Sequence, residues 1–289
     1  MTLFNADDYG VCAAQCENIR ACRRYGVLTG VSAMPNSPYL KTAMADIAND
    51  PELTVAVHLN FTEGLCLSTP AEVSLLVGED GRFRQSFFSL FLLSLGPKRK
   101  ALKAQLKREI RAQIGRVMPL LAGRALRLDG HQHIQMVPVV MDALRDVVKE
   151  DGLRPEYIRW SCEPLGPYLK NLSLWRDYGL VNLVKNLVLN VFGWLDRGYM
   201  KDLGLERNMI LGLVISGNLE YRLISRLLPD FWKAAARRGV DLELVMHPGW
   251  GFGPGDSLDV PGGPFESFNT DEGRKREYDC IFLLEEYLR

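Results

Sequence analysis

The sequence predicts an α/β fold built on a parallel sheet, open or closed into a barrel. Three observations carry this. Seven short apolar runs have strand character, at 2–6, 28–34, 53–59, 125–131, 156–160, 209–215 and 241–247. Most are continuous rather than alternating, which suits strands buried on both faces. Helical patterns lie between them, and strand–helix alternation along one chain is the mark of a parallel sheet.

Taken in order, the first run (TLFNA) leads directly into Asp7-Asp8, and residues 11–25 form a helix with Ile19 inward. The second and third runs (LTGVSAM, LTVAVHL) follow, and then a very apolar stretch at 86–95 (SFFSLFLLSL). Residues 98–121 space Leu102, Leu106, Ile110, Ile114 and Val117 three or four apart, which is one helix face. The remainder of that helix is basic, with Glu109 alone opposing eight Lys and Arg between Lys98 and Arg116. The fourth run (ALRLDGH), a helix at 138–150 and the fifth run (EYIRW) come next. Residues 180–195 are apolar except for a stripe at Asn182, Lys185, Asn186 and Asn190. The sixth run (MILGLVI), a helix at 219–238 and the seventh run (DLELVMH) complete the pattern. No repeat or low-complexity linker divides the chain, so it reads as one domain, 1–289, with an apolar insertion near 171–199.

Composition narrows the class. A chain of 289 residues with 47% hydrophobic and 24% charged side chains suits a packed globular protein, not a disordered, collagenous or disulfide-scaffold one. Its 35 basic side chains balance 35 acidic ones, which argues against a nucleic-acid partner, since phosphate binding usually needs a basic excess. The first strand motif begins almost at Met1, with no basic and apolar leader, so a cytoplasmic location is expected. The six cysteines are irregularly spaced without a C-x-x-C pair, and read as reduced core thiols. The apolar stretches 86–95 and 180–195 fall short of the about 20 residues that span a bilayer. They are expected to be a buried helix or a homo-oligomer interface. A greasy lid over the site, or a peripheral contact with the membrane beside the basic helix, is the sharper alternative.

The chemistry-bearing residues gather at strand ends. The first run ends in Asp7-Asp8, the third in His58, the fourth in Asp129-Gly130-His131-Gln132-His133 and the seventh in His247-Pro248-Gly249; the fifth delivers Arg159, followed by Glu163. In parallel α/β folds ligands bind at the carboxyl ends of strands. All 4 histidines of the chain arrive there, which isolated core histidines would not do. One carboxylate and two imidazoles can surround a divalent ion and leave positions for water and substrate. Zinc, magnesium, manganese and iron all tolerate such a set, and the lack of cysteine in it disfavours a structural zinc. In an Asp-Asp pair one carboxylate can bind metal while its neighbour serves as a base, provided the chain turns there so that both face the site. A metal-activated water with such a base is a hydrolytic nucleophile.

Together these motifs resemble the YdjC-like carbohydrate deacetylases, which include chitooligosaccharide deacetylases. The matching residues are Asn5-Ala6-Asp7-Asp8-Tyr9-Gly10; Val57-His58-Leu59-Asn60-Phe61-Thr62-Glu63-Gly64; Leu128-Asp129-Gly130-His131-Gln132-His133 with Pro138; Gly212-Leu213 with Ser216-Gly217; and Glu243 to Gly249. Ala56 and Phe61 depart from the family pattern, which favours glycine and an aliphatic residue there. The chain also ends at Arg289 within a helical pattern where relatives often continue briefly. The resemblance implies a distorted (β/α) barrel, TIM-barrel-like, with about seven parallel strands and related to NodB-type deacetylases. It implies metal-dependent removal of acetyl from an N-acetylated sugar, with one divalent ion (Mg²⁺ or Zn²⁺). Asp8, His58 and His131 correspond to metal ligands, Asp7 to the general base, and His247 to the general acid or transition-state stabiliser. His133, Asp129 and Arg159 stand behind them, to orient ligands, engage substrate or neutralise an oxyanion. Some relatives are associated with lipid-linked or hopanoid pathways, so a lipid-linked aminosugar stands beside a soluble one. Metal-assisted cleavage of an ester or phosphoester, and a catalytically silent sugar-binding protein, are the competing functions.

Overall fold

The computed structural model describes residues 1–253, 255–258 and 261–289. Each predicted run holds a strand: β1 (Thr2–Tyr9), β2 (Gly30–Ala33), β3 (Thr54–Leu59), β4 (Arg127–Gly130), β5 (Tyr157–Ile158), β6 (Met209–Leu211) and β7 (Leu242–Met246). They form one sheet in the order β5-β4-β3-β2-β1-β7-β6, and every neighbouring pair is parallel. The helices are α1 (Ala13–Tyr25), α2 (Leu40–Asp46), α3 (Phe87–Ser94), α4 (Arg99–Val117), α5 (Pro138–Glu150), α6 (Gly166–Lys170), α7 (Leu180–Asp202), α8 (Tyr221–Arg238), α9 (Pro264–Thr270) and α10 (Gly273–Leu288). The result is the distorted, curled α/β barrel that the sequence implied. Among the described residues no helix is long and apolar enough to cross a membrane.

The strands are buried on both faces, yet the two faces differ. Phe4, Ala6, Val31, Val55, Val57, Leu128, Ile158 and Leu244 join the helices in the hydrophobic core. The opposite row points into the lumen and is polar: Asn5, Asp7, Ser32, His58, Asp129, Arg159 and Glu243, all buried. Continuous burial had suggested apolar contact on both sides. The lumen instead holds ions, because each inward carboxylate meets a cation or a hydroxyl there, without which its burial would be prohibitive.

The edge strands β5 and β6 share no ladder. Side chains stitch that seam. Asn208 Oδ1 accepts the Trp160 N–H at 2.6 Å, and the Glu163 carboxylate accepts the Gly212 and Val214 N–H groups at 2.7 and 2.8 Å. Gly212 has φ +128° and an added Cβ would lie 2.4 Å from the Val245 carbonyl oxygen, so this turn requires glycine. Helix α7 lies across the same seam. Asn190 Nδ2 donates to the Glu163 carbonyl and Asn182 Nδ2 to the Ser216 carbonyl, while Gly193 packs on Cys162 and Trp160. Helix α7 is thus an element of barrel closure.

The basic helix is α4, followed by a 3₁₀ turn at Met118–Leu120. Most of its cations face acids of α5 and its end: Lys103 meets Asp142 and Asp146, Lys107 meets Glu150, and Arg111 meets Glu150 and Asp151. These pairs hold the two helices together rather than presenting a free cationic face. Lys98 and Lys100 have no carboxylate in reach among the described residues.

Candidate active site

The site sits where β1, β3 and β4 end. Between Ala6 and Tyr9 β1 advances three residues while β2 advances two, from Val31 to Ala33, so β1 carries one extra residue. Asp8 lies at φ +62° within that bulge. A bulge re-aims a side chain, and here it turns Asp8 to the same side as Asp7, as the strand-end reading required. Downstream of β4, Gln132 and His133 take φ +53° and +58°, a consecutive left-handed pair that wraps His131 back over the strand end.

Asp8, His58 and His131 each offer a ligand atom, all within 4.8 Å of one another. His131 Nδ1 lies 2.8 Å and His58 Nε2 3.2 Å from Asp8 Oδ1. Asp8 Oδ2, His58 Nε2 and His131 Nε2 are buried without a hydrogen-bond partner. Unpaired buried polar atoms are costly; Asp8 Oδ2 and His58 Nε2, with the His131 ring beside them, fit a cation, while His131 Nε2 itself lies 3.4 Å from Glu63 Oε2. His58 Nδ1 lies 2.7 Å from Asp129 Oδ1, so Nδ1 keeps its proton and Nε2 is the nitrogen that gives its proton up to a cation. Asp7, His58 and Asp129 form a second acidic group within the same spacing, but its two carboxylates are already bound to Arg159 and Ser32.

The charge balance points the same way. Burial disfavours a charged imidazole, but the carboxylates of Asp129 and Asp7 outweigh it and push His58 up to about 9. His131 is likewise raised against its burial, by Asp8 and Glu63. The cluster therefore attracts positive charge. Asp7 and Asp8 resist the upward push of burial. Arg159 and His58 hold the Asp7 carboxyl far below the usual range, and His131 does the same for Asp8.

Of the further residues, Asp129 orients His58, and Arg159 grips Asp7, Asp129 and Glu243. Arg159 is fully buried and does not line the pocket. His133 does reach the pocket, with Nδ1 2.9 Å from Ser161 Oγ; burial, then Arg159, lower its pKa to about 3. His247 lines it too, with an unpartnered Nδ1 3.8 Å from Glu277 Oε2, and burial lowers its pKa although Glu277 opposes. Glu277 also accepts the His247 backbone N–H and pairs with Arg274 at 2.8 Å, which fixes the His247 turn.

A pocket of about 310 Å³ opens above these groups. Asp7, His131, His133 and His247 form its polar floor, Phe87 and Phe88 of α3 and Val188 and Leu189 of α7 one apolar wall, and Phe265 and Phe268 of α9 another. The first wall comes from the apolar stretches 86–95 and 180–195, for which a lid over the site was the sharper alternative; Phe265 and Phe268 carry no periodic signal in the sequence. Glu63, beside His131 and hydrogen-bonded to Gln132, and Glu243, bound to Arg159, were inside quoted motifs without an assigned part.

The sequence pattern of the YdjC-like protein family matches residues 2–285. A carbohydrate deacetylase of Danio rerio is 27% identical over 261 residues, 86% of this chain and 81% of that one. A chitooligosaccharide deacetylase of Yersinia enterocolitica is 23% identical over 201 residues, 68% of this chain and 76% of that one. A carbohydrate deacetylase of Thermoanaerobacter pseudethanolicus is 30% identical over 152 residues, 52% of this chain and 57% of that one. Among solved structures, an Enterococcus faecalis V583 protein provisionally assigned to cellobiose-phosphate cleavage superposes with TM-score 0.66 over 97% of this chain and 90% of its own, at 19% identity. That likeness concerns the fold.

Proposed function

The chain belongs to the YdjC-like protein family, and from that premise we propose that it is a metal-dependent carbohydrate deacetylase that hydrolyses the acetamido group of an N-acetylated sugar. The observation that carries the reading is one cluster. Asp8, His58 and His131 converge with unpaired buried atoms directly beneath a pocket floored by Asp7 and His247. Three ligands from the protein leave coordination positions free, as catalytic sites do and structural ones do not. The deacetylase names of the relatives give the bond.

Asp8, His58 and His131 would hold one divalent ion, magnesium or zinc. Bound there, such an ion polarises the acetyl carbonyl and lowers the pKa of water. Asp7 takes the proton of the attacking water. Its carboxyl is held, against its burial, well below the usual range by the Arg159 guanidinium, so it enters the reaction ionised. Asp129 fixes His58 with Nε2 toward the site. His247 delivers a proton to the amine nitrogen as the C–N bond breaks, giving acetate and the amino sugar. Phe265 and Phe268 flank the floor and shield these transfers from bulk water. We assign residues 1–289 to one catalytic unit of the cytoplasm, a compartment that suits its six free thiols.

The test is acetate release from a panel of free chitooligosaccharides and lipid-linked N-acetylhexosamines, with and without added divalent ion. Metal-dependent release is expected, and Asp7→Asn should lower turnover by about 10²–10⁴-fold while the metal stays bound. Phosphate release, ester cleavage or sugar binding without turnover would replace the reading. The preferred panel member decides between a soluble and a lipid-linked sugar.

A further inference from the structure

Helix α7 is apolar on its outer side as well as its inner one, where Leu189, Phe192 and Met200 join the core. Asn182, Asn186 and Asn190 recur at four-residue spacing on the face that meets the barrel, and Asn186 is fully buried. Its outward stripe is Leu180, Val184, Leu187, Val191 and Trp194, all exposed. A helix facing water carries polar and charged residues on that outer side. Helix α3 lies against α7 through Phe87 and Phe91 on Phe192, with ring centroids 5.6 and 4.7 Å apart, and turns Phe88, Leu92 and Leu95 outward. Of 22 exposed large hydrophobic side chains among the described residues, 14 fall on α3 with Leu95 and on the segment 165–195. That concentration is far beyond scattered surface apolarity.

Charge selects what covers this face. Cations with no carboxylate partner among the described residues occur within these segments (Arg176 and Lys185) and just beyond their ends (Lys98 and Lys100 after α3, Arg197 and Lys201 in the last turns of α7). Arg176 and Arg197 lie over the rings of Trp175 and Trp194 at 5.6 and 4.9 Å, both rings exposed. Their acids are already committed: Asp177 to Arg222, Asp202 to Arg145 and Lys149, and Asp196 is buried. A second copy docked by two-fold symmetry would set this cationic fringe against itself. An apolar stripe bordered by tryptophan and unpaired Lys and Arg instead complements an anionic lipid surface.

We propose that the α3–α7 face docks on an anionic bilayer, with α7 lying in the interfacial plane. Phe88 and Lys185 belong both to this face and to the pocket rim, so docking places the pocket mouth at the lipid surface. The consequence for substrate choice, that the sugar is presented from the bilayer, rests on the deacetylase reading. The docking itself does not, and its test involves no turnover.

The full chain is mixed with phosphatidylcholine vesicles containing phosphatidylglycerol, or with phosphatidylcholine alone, and floated on a density gradient; its mass in solution is measured by light scattering. The protein should float with the anionic vesicles, and the bound fraction should fall about tenfold or more between low and high salt. The double change Leu187→Glu with Trp194→Glu should abolish flotation at an unchanged melting temperature. Lys98→Glu with Arg197→Glu should weaken it about tenfold or more without touching an apolar group. Failure to float with anionic vesicles at low salt overturns the proposal. So does a stable dimer that Leu187→Glu with Trp194→Glu splits into monomers, since a second copy then covers the face.

Discussion

Arg159 holds Asp7 by both oxygens: Nη1 lies 2.8 Å from Oδ2 and Nη2 2.7 Å from Oδ1. The two residues are 152 positions apart and meet in the lumen. The guanidinium also reaches Asp129 and Glu243, so one fully buried cation is shared by carboxylates from three strands. Removing it with Arg159→Met should destabilise the fold by about 3–5 kcal/mol, the usual result of leaving buried charge unpaired. Arg159→Lys keeps the charge but loses the fork. It should lower kcat about 10²-fold through misplacement of Asp7 and move the acid limb of the pH–rate profile upward. An unchanged limb would detach Arg159 from Asp7.

Asp8 separates fold from site. Its φ of +62° is strained for aspartate and free for glycine. Asp8→Gly relieves that strain and so offsets part of the cost of unpairing His131, while zinc or magnesium affinity should fall steeply by titration calorimetry. A variant that binds metal normally would remove Asp8 from the ligand set.

Metal and stability are linked. An ion that binds the native site stabilises by RT ln(1 + [L]/Kd), about 2.7 kcal/mol at a hundredfold excess over Kd. Chelation should lower the melting temperature of the wild type and leave His58→Ala and His131→Ala variants unmoved. Asp129→Asn, which frees the His58 ring to rotate, should cost about 10–100-fold in metal affinity.

Glu163 makes the seam sensitive to pH. Burial pushes its carboxyl up to about 7 despite hydrogen bonds from Tyr168, Gly212 and Val214. The native state thus binds this proton more tightly than the unfolded chain does. Its contribution to stability is complete below the ordinary glutamate pKa of about 4.3 and is lost as pH rises toward 7. Denaturant unfolding should show wild-type stability declining across that window by on the order of 3–4 kcal/mol from this group. Glu163→Gln should flatten the decline; an equally steep curve would assign it elsewhere.

Much of this was legible in the sequence. Apolar runs locate strands because a buried strand needs them wherever it lies, and all seven fell in place. Asp7, Asp8, His58, His131 and His247 were legible because strand ends in a parallel sheet meet at one rim. The ionic lumen was not. Asn5, Ser32, Asp129, Arg159 and Glu243 are single polar residues within apolar runs, and their mutual contacts depend on curvature that no local pattern encodes. The bulge at Asp8 was inferred only as a need of the site. The second pocket wall was hidden because Phe265 and Phe268 lie outside any periodic segment, and the clasping of α7 because an apolar helix looks alike whether it caps a seam, a partner or a lipid.

The open seam has a further meaning. A sheet with two edge strands presents two rows of unsatisfied backbone groups, each a template for intermolecular strand addition and hence for aggregation. In this barrel β5 and β6 share no ladder; Asn208 and Glu163 take up backbone N–H groups beyond their ends, and α7 lies across the seam through Asn182, Asn190 and Gly193. The helix therefore stands where a strand of another molecule would approach.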